Sequence, residues 1–400
     1  MPDRTDSPVS LPSAARRIDE LDILRGFALF GIVVVNTLVV SAMFAPAAGD
    51  GVAPPERGGI MDRVVSGLEY AFFDGKFYLL FAFLFGYSFT LQMASAERAA
   101  VAPVPRLLRR SLALFAIGLA HVMFLWLGDI LTLYAALCLI LVLLRGIRAR
   151  TALIAGLLLY AGYQVLPLVL GGAMTLPSFG PGFTGSFTET LAAQVNAAPQ
   201  AMMQIWQFQG VPALGMFLIG LAAGKRRIFQ DRELLHRWTP RALALGLLVA
   251  APVSLVTCAC SVLEIAPPTL WPTLQGLVNP FLTLSYIAGL IWLTRSRYAD
   301  SVARLAPAGR MAASNYIGQS VVCMLIYSGY GLGLAGKVPP AAIVAIATTT
   351  FAAQVWFSAR WLRGHAYGPV EWVLRAATNL AVPAWRKPAP PTGGGSASAV

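Results

Sequence analysis

Ten apolar stretches, each near the length of a bilayer crossing, constrain this chain more than any other feature. They cover residues 23–45, 76–95, 109–127, 129–145, 151–171, 206–224, 241–262, 273–294, 311–335 and 340–362. A helix needs about 20 mostly apolar residues to cross the hydrocarbon core. The fold class that follows is all-α: a polytopic integral membrane helical bundle with about ten transmembrane helices. Composition agrees. Hydrophobic residues make up 57% of the 400 and charged residues 12%, whereas roughly a quarter of an ordinary soluble domain is charged. Too little polar surface is present to cover a water-soluble body of this size.

The net charge of +12 would suit a nucleic-acid ligand, but its distribution points elsewhere. With the N-terminus inside, all but four of the 30 basic residues fall on inner segments; the exceptions are Arg57, Arg63, Lys76 and Lys337. This obeys the positive-inside rule at every turn and puts both termini in the cytoplasm. The basic residues then set topology and meet lipid headgroups, which excludes a nucleic-acid partner and names the bilayer as the first one.

Residues 1–20 read as a cytoplasmic tail, 21–224 as transmembrane helices one to six, 225–386 as a C-terminal domain with helices seven to ten, and 387–400 as a disordered tail. The N-terminus is a poor signal peptide, because Asp19, Glu20 and Asp22 spoil a basic leader. Residues 62–75 read as an interfacial helix on the outside, and 172–205 as the longest outer loop. GPVEWVLRAATNLAVPAW, from Gly368, reads as an amphipathic helix on the inner surface, with Glu371 pairing to Arg375 at i,i+4. Cys138, Cys258, Cys260 and Cys323 all sit in apolar runs without metal-ligand spacing, so no metal site is expected.

Polar groups at membrane depth are costly unless paired, and they mark candidate sites. Arg25 and Asn36 share a face of the first helix, roughly 16 Å apart; Arg25 can snorkel or pair with Asp22, while Asn36 should face the bundle interior. PRLLRR brings Arg106, Arg109 and Arg110 to the start of the third helix, where they serve either topology or a phosphate. GLAHVMFLWLGDIL carries His121, the one histidine within an expected span, and Asp129. A continuous helix would hold these two about 12 Å apart, so pairing requires the chain to fold back at Gly128. A His beside a carboxylate can act as a general base. Asp74 and Lys76, at the outer end of the second helix, either join that site to bind substrate or form a solvated pair. Asn315 and Gln319 share a face, with Gln354 able to meet them, as cavity lining or as interhelical glue. No P-loop, GxSxG or HExxH motif is present.

LDILRGFALFGIVVVN, DGKFYLLFAFLFG, GLAHVMFLWLGDIL, GRMAASNYIGQS, SGYGLGL and GPVEWVLR together resemble the YeiB-type bacterial membrane proteins, over nearly the whole chain. More distantly, the LDxLRG opening resembles the first helix of membrane acyltransferases that modify extracytoplasmic sugars, and of the lysosomal heparan glucosaminide acetyltransferases. That resemblance implies acyl transfer from cytosolic acyl-CoA to an acceptor on the far side. Arg25, Arg106, Arg109 and Arg110 would hold the CoA phosphates. The family-three acyltransferases carry an essential His eleven residues after the Arg, where this chain has Asn36, which cannot act as a base. The base role would then pass to His121, oriented by Asp129, with Asn36 polarising the acyl carbonyl. Two rival functions stand beside this one: a transporter for a small solute or lipid, lined by Asn36, Asn315 and Gln319, and a non-catalytic membrane partner. The expected setting is the bacterial plasma membrane.

Overall fold

In the computed structural model, residues 19–43, 59–170 and 185–387 are described. The calls on the N-terminal tail up to residue 18, on residues 172–184 of the outer loop and on the tail from 388 lie outside them. Among the described residues the fold is helical with no sheet. It opens with α1 (Asp19–Met43), α2 (Ile60–Phe72), α3 (Phe77–Arg98), α4 (Pro103–Phe124), α5 (Leu131–Leu143) and α6 (Ala149–Leu170). There follow α7 (Phe187–Lys225), α8 (Arg232–Leu245), α9 (Ala251–Leu263) and α10 (Trp271–Leu293), a π turn over Gly246–Ala250 making α8 and α9 one long rod. Short α11 (Ala299–Ala303) and α12 (Ala306–Arg310) lead into α13 (Ala312–Tyr327), α14 (Pro340–Gly364) and α15 (Pro369–Asn379).

Each of the ten expected spans coincides with a helix. Among the described residues, eight helical segments are long and apolar enough to cross a membrane. Two expected spans are shorter than read from the sequence: α5 has 13 residues and α13 has 16. At 1.5 Å per residue they reach only about 20 Å and 24 Å. The shortening has a local cause at each. Asp129 takes the first N–H groups of α5 and fixes its start. Ser328, extended in backbone and with its hydroxyl turned back to the Met324 carbonyl, stops α13.

The expected outer loop over 172–205 is helical from Phe187 onward, a correction to the sequence reading. Ser186 and Glu189 form a reciprocal capping box, with the Ser186 N–H donating to the Glu189 carboxylate at 2.8 Å. Thr190, Gln194, Ala198, Ala201 and Ile205 then bury one face at helical spacing. The 39 residues of α7 make a rod about 58 Å long, which outruns the bilayer. The segment expected as an interfacial helix over 62–75 is helical as α2, which ends at Phe72. α2 packs its Gly67 against the Cys258 carbonyl of α9, and Arg63 meets Glu264 at 3.3 Å.

α1 runs through the core. Leu21, Leu24, Ala28, Leu29 and Val33 are all buried, and α1 packs most extensively against α12 and α14, then α13 and α3. The most extensive crossing is α3 on α7. A side chain at Gly86 would run into the Phe217 carbonyl, and one at Gly220 into the Phe83 carbonyl. Small residues let membrane helices approach until their backbones touch, and packing there replaces the hydrophobic drive that lipid cannot supply. Gly220→Leu should therefore lower the melting temperature in detergent by several degrees and cut the yield of monodisperse protein. Unchanged thermal stability and elution of that variant would show that the crossing does not hold the bundle.

Candidate functional site

His121 lies on the last turn of α4, whose helix ends three residues later at Phe124. The Leu125 and Trp126 N–H groups both donate to the His121 carbonyl at 2.9 Å, closing the helix. The chain then reverses at Gly128, where the Trp126 indole fills the space a side chain would need. The reversal brings Asp129 back beside the ring. His121 Nδ1 donates to Asp129 Oδ1 at 2.9 Å, and the carboxylate also accepts the Leu131 and Thr132 N–H groups at 3.1 and 2.8 Å. With Nδ1 carrying the proton, Nε2 is an acceptor. It faces the Ser320 hydroxyl of α13 at 2.8 Å. Asp129, His121 and Ser320 thus form one hydrogen-bonded chain, and all three are buried. The Tyr316 ring packs against the imidazole, centroids 5.1 Å apart.

Tyr316, Ile130 and Leu131 are also part of the wall of a cavity of about 400 Å³. The buried chain therefore stands directly behind that wall. Other parts of the wall are strongly basic: Arg25, Arg106, Arg110, Arg310 and Arg375, against the carboxylates of Asp22 and Glu371. Arg25 is held by Asp22 and by the Ser88 hydroxyl, each at 2.7 Å. A wider pocket of about 910 Å³ shares Asp22 and Arg25 with the first and adds Arg98, Lys225, Arg227, Arg232 and Arg295. Both therefore lie at the end of the bundle where the basic segments cluster.

The residues singled out from the sequence do not all converge. His121 and Asp129 touch each other, and Arg25, Arg106 and Arg110 share the cavity, whereas Arg109 is not part of its wall. Asn36 is half-buried and makes no hydrogen bond to the Asp129–His121–Ser320 chain; its neighbour Thr37 meets Cys323 at 3.7 Å. Asp74 and Lys76 sit at the α2–α3 turn without contact to His121. Lys76 is buried and donates to the Tyr70 carbonyl at 2.9 Å, while Asp74 is exposed. Asn315, Gln319 and Gln354 form a connected network. Gln319 donates to Gln354 at 2.9 Å, Gln354 to the Asn315 carbonyl at 2.9 Å, and Asn315 to the Ala308 carbonyl at 3.0 Å. These bonds tie α12, α13 and α14 together and fix the helix that carries Ser320. No group of three or more potential metal-ligating His, Cys, Asp or Glu residues occurs among the described residues.

Ser320, Arg375 and Glu371 were not singled out for this site from the sequence. Ser320 lies 199 positions from His121, and a serine in a membrane helix ordinarily bonds its own backbone. Glu371 was expected to pair with Arg375. Instead its carboxylate accepts the Ala313 and Ser314 N–H groups at 2.7 and 3.1 Å and the Ser314 hydroxyl at 2.5 Å. The start of α13 offers several aligned donors and a favourable dipole, which a lone guanidinium on an exposed turn does not match. Arg375 lies over the Tyr367 ring at 4.9 Å.

Burial pushes the Glu371 carboxyl above its ordinary value, and the Ser314 hydroxyl and the N–H groups offset this in part. A carboxyl raised in the folded state contributes stability that is full at acid pH and fades as pH climbs through the folded value. Glu371→Gln mimics the neutral acid and keeps an oxygen for the α13 donors. It should cost less than Glu371→Ala, which strands donors worth about 1–3 kcal/mol. Melting curves of the two variants test this, and equal losses would remove the anchoring role.

Residues 223–381 match the family model described as Protein of unknown function (DUF418). The chain is 33% identical over 390 residues to "Uncharacterized protein YxaH" of Bacillus subtilis (strain 168), spanning 91% of this chain and 94% of that protein. It is 26% identical over 389 residues to "Uncharacterized protein YeiB" of Escherichia coli (strain K12), spanning 90% and 95%. A 39.9 kDa protein from the amylase 3' region of Bacillus acidopullulyticus is 27% identical over 383 residues, spanning 90% of this chain and 94% of that protein. With its helical membrane fold and similarity that runs nearly end to end, the chain belongs to the YeiB-like family of membrane proteins.

Proposed function

We propose that this protein is an acyltransferase of the bacterial plasma membrane, taking an acyl group from cytosolic acyl-CoA and delivering it to an extracytoplasmic acceptor. The observation that carries this reading is a buried Asp129–His121–Ser320 chain immediately behind the wall of an arginine-lined cavity. Guanidinium groups suit phosphate and pyrophosphate oxygens, which they grip in pairs. Five arginines against two carboxylates leave the cavity with a surplus of positive charge for a phosphorylated carrier. Leu107, Leu114, Ile130 and Leu131 supply apolar wall for the carrier's arm and acyl group.

His121 is the base in this scheme. Its Nδ1–H is fixed on Asp129, which leaves Nε2 free to accept a proton and lets the carboxylate stabilise the imidazolium that forms. Asn36 has the place of the histidine in the acyltransferases it resembles, but it makes no hydrogen bond to this chain, and the base role rests on His121 alone. The wider basic pocket gives the nucleotide end of the carrier room beyond Arg25.

Acetyl-CoA or palmitoyl-CoA should raise the melting temperature of the purified protein. Arg110→Ala should weaken that binding by about tenfold, the loss of one charge-assisted contact. His121→Ala should keep the binding but reduce transfer of radiolabel from acyl-CoA in inverted membrane vesicles by at least about a hundredfold. Transfer at the wild-type rate in His121→Ala would overturn the mechanism. Solute uptake by proteoliposomes, with no response to either acyl-CoA, would replace it by transport.

A further inference from the structure

Ser320 stands at a seam in the bundle. One turn before it on α13, Tyr316 belongs to the main core and to the cavity wall. One to two turns after it, Cys323, Met324 and Tyr327 belong to a separate apolar cluster with Val122, Trp126 and Leu127, which also draws on the C-terminal half of α1 and on α7. His121 bridges the same seam, preceding Val122 in the chain. The arginine-lined cavity ends on one side of the seam, and the second cluster closes the other. A donor in the cavity and an acceptor arriving from outside would therefore not share one chamber.

Two groups on the far side of the seam signal an oxygen ligand. Trp126 Nε1 and Tyr327 Oη are both buried and have no hydrogen-bond partner. Trp126 follows directly on the turn that closes α4 over His121, its N–H bonded to the His121 carbonyl. Tyr327 is seven residues after Ser320, about 20° around α13 and roughly 10 Å along it. A buried indole N–H is a donor only and leaves its desolvation cost uncompensated until an acceptor arrives. Neither group is charged, which fits a neutral hydroxyl-bearing acceptor.

We propose that Ser320 is the nucleophile of a two-step relay, with its hydroxyl carrying the acyl group from the inner donor to the outer acceptor. This rests on the acyl-transfer reading above. In the first step Ser320 Oγ attacks the thioester carbonyl and its proton passes to His121 Nε2. The C–S bond breaks, the new C–O ester bond forms, and the leaving thiolate takes the proton from Nε2. In the second step the acceptor hydroxyl attacks the acyl-serine carbonyl and gives its proton to Nε2. The Oγ–C bond breaks and Ser320 Oγ recovers that proton. No electrons are gained or lost. Asp129 holds Nδ1–H throughout, so the same Nε2 serves as base and then acid twice. Because the acyl group is parked on Ser320, the two substrates need never meet, and no aqueous path has to join the two faces.

The experiment uses the full-length protein in detergent with acetyl-CoA or palmitoyl-CoA, each radiolabelled in the acyl group, and no acceptor. Wild type should take up label, and mass spectrometry should place an added acyl mass on the peptide containing Ser320. Ser320→Cys, with a better nucleophile on the same base, should also be labelled, as a thioester that neutral hydroxylamine strips. Ser320→Ala should lose label and drop transfer in vesicles by at least about a thousandfold, while CoA still raises its melting temperature. Ser320→Ala transferring within a few-fold of wild type would overturn the relay and reduce Ser320 to orienting His121, leaving direct transfer intact. Label on a different residue would overturn it equally. If neither acyl-CoA binds or reacts with wild type, the acyl-transfer reading itself fails, and the relay with it.

Discussion

The Asp129 carboxylate accepts three N–H groups in a place where water is scarce, and the arrangement of the site follows from that. A carboxylate left alone in such surroundings would cost several kcal/mol even after relaxation. The fold meets the cost with two backbone donors at the start of α5 and the ring of His121. Those donors exist only because α4 stops at Phe124 and the chain turns back at Gly128. Ring orientation, tautomer and the contact to Ser320 are then consequences, not separate features. Second-neighbour groups commonly fix a histidine in this way, through the nitrogen it does not use for chemistry.

The basic cavity obeys a different balance. Its arginines lie at the end of the bundle where the basic segments cluster, and long side chains at the end of a membrane helix can reach headgroups and water at little cost. What distinguishes them from ordinary topology signals is convergence. Arg25 comes from α1, Arg106 and Arg110 from α4, Arg310 from α12 and Arg375 from α15, and they line one pocket. Like charges gathered around a cavity repel one another, and the carboxylates of Asp22 and Glu371 in the same wall offset some of that. Glu371 is also committed to the α13 N-terminus. The same Glu371 bonds dock α15 onto the helix that carries Ser320, so the cavity wall and the buried chain share one support.

The helices were legible in the sequence, because apolar length is a direct physical requirement of a bilayer. The ends of α5 and α13 were not, since both are set by side-chain capping at positions that read as more apolar helix. The helical start of α7 escaped notice because polar residues and Pro199 mask the buried Thr190–Gln194–Ala198 face. For the site, the eight-residue spacing of His121 and Asp129 already stated the condition for their meeting, a fold-back at Gly128. The arginines were named by position. Their convergence with Arg375, and the contact of His121 with Ser320, depend on how α13 and α15 pack against α4. No local spacing encodes that packing. Asn36 shows the opposite case. Its depth and its place on α1 made it conspicuous, yet it forms no bond to the chain behind the cavity.

A buried polar chain can also be explained as structure alone, and energy bears on the choice. Apolar residues of similar volume usually replace a buried charged pair with no loss, or with a gain of 1–4 kcal/mol. If holding α4, α5 and α13 together were the only need, Leu-type packing would meet it as it does elsewhere in this core, where Leu29, Leu80 and Leu133 are almost completely buried. The α12–α14 contacts already have the Asn315–Gln319–Gln354 network as polar glue, built from neutral amides that carry no desolvated charge. A carboxylate, an imidazole and a hydroxyl in series are a costlier choice than either option. They differ from those options in one capacity: a proton can move along them. The position of this chain at the seam between the basic cavity and the second apolar cluster is where such a capacity would be of use.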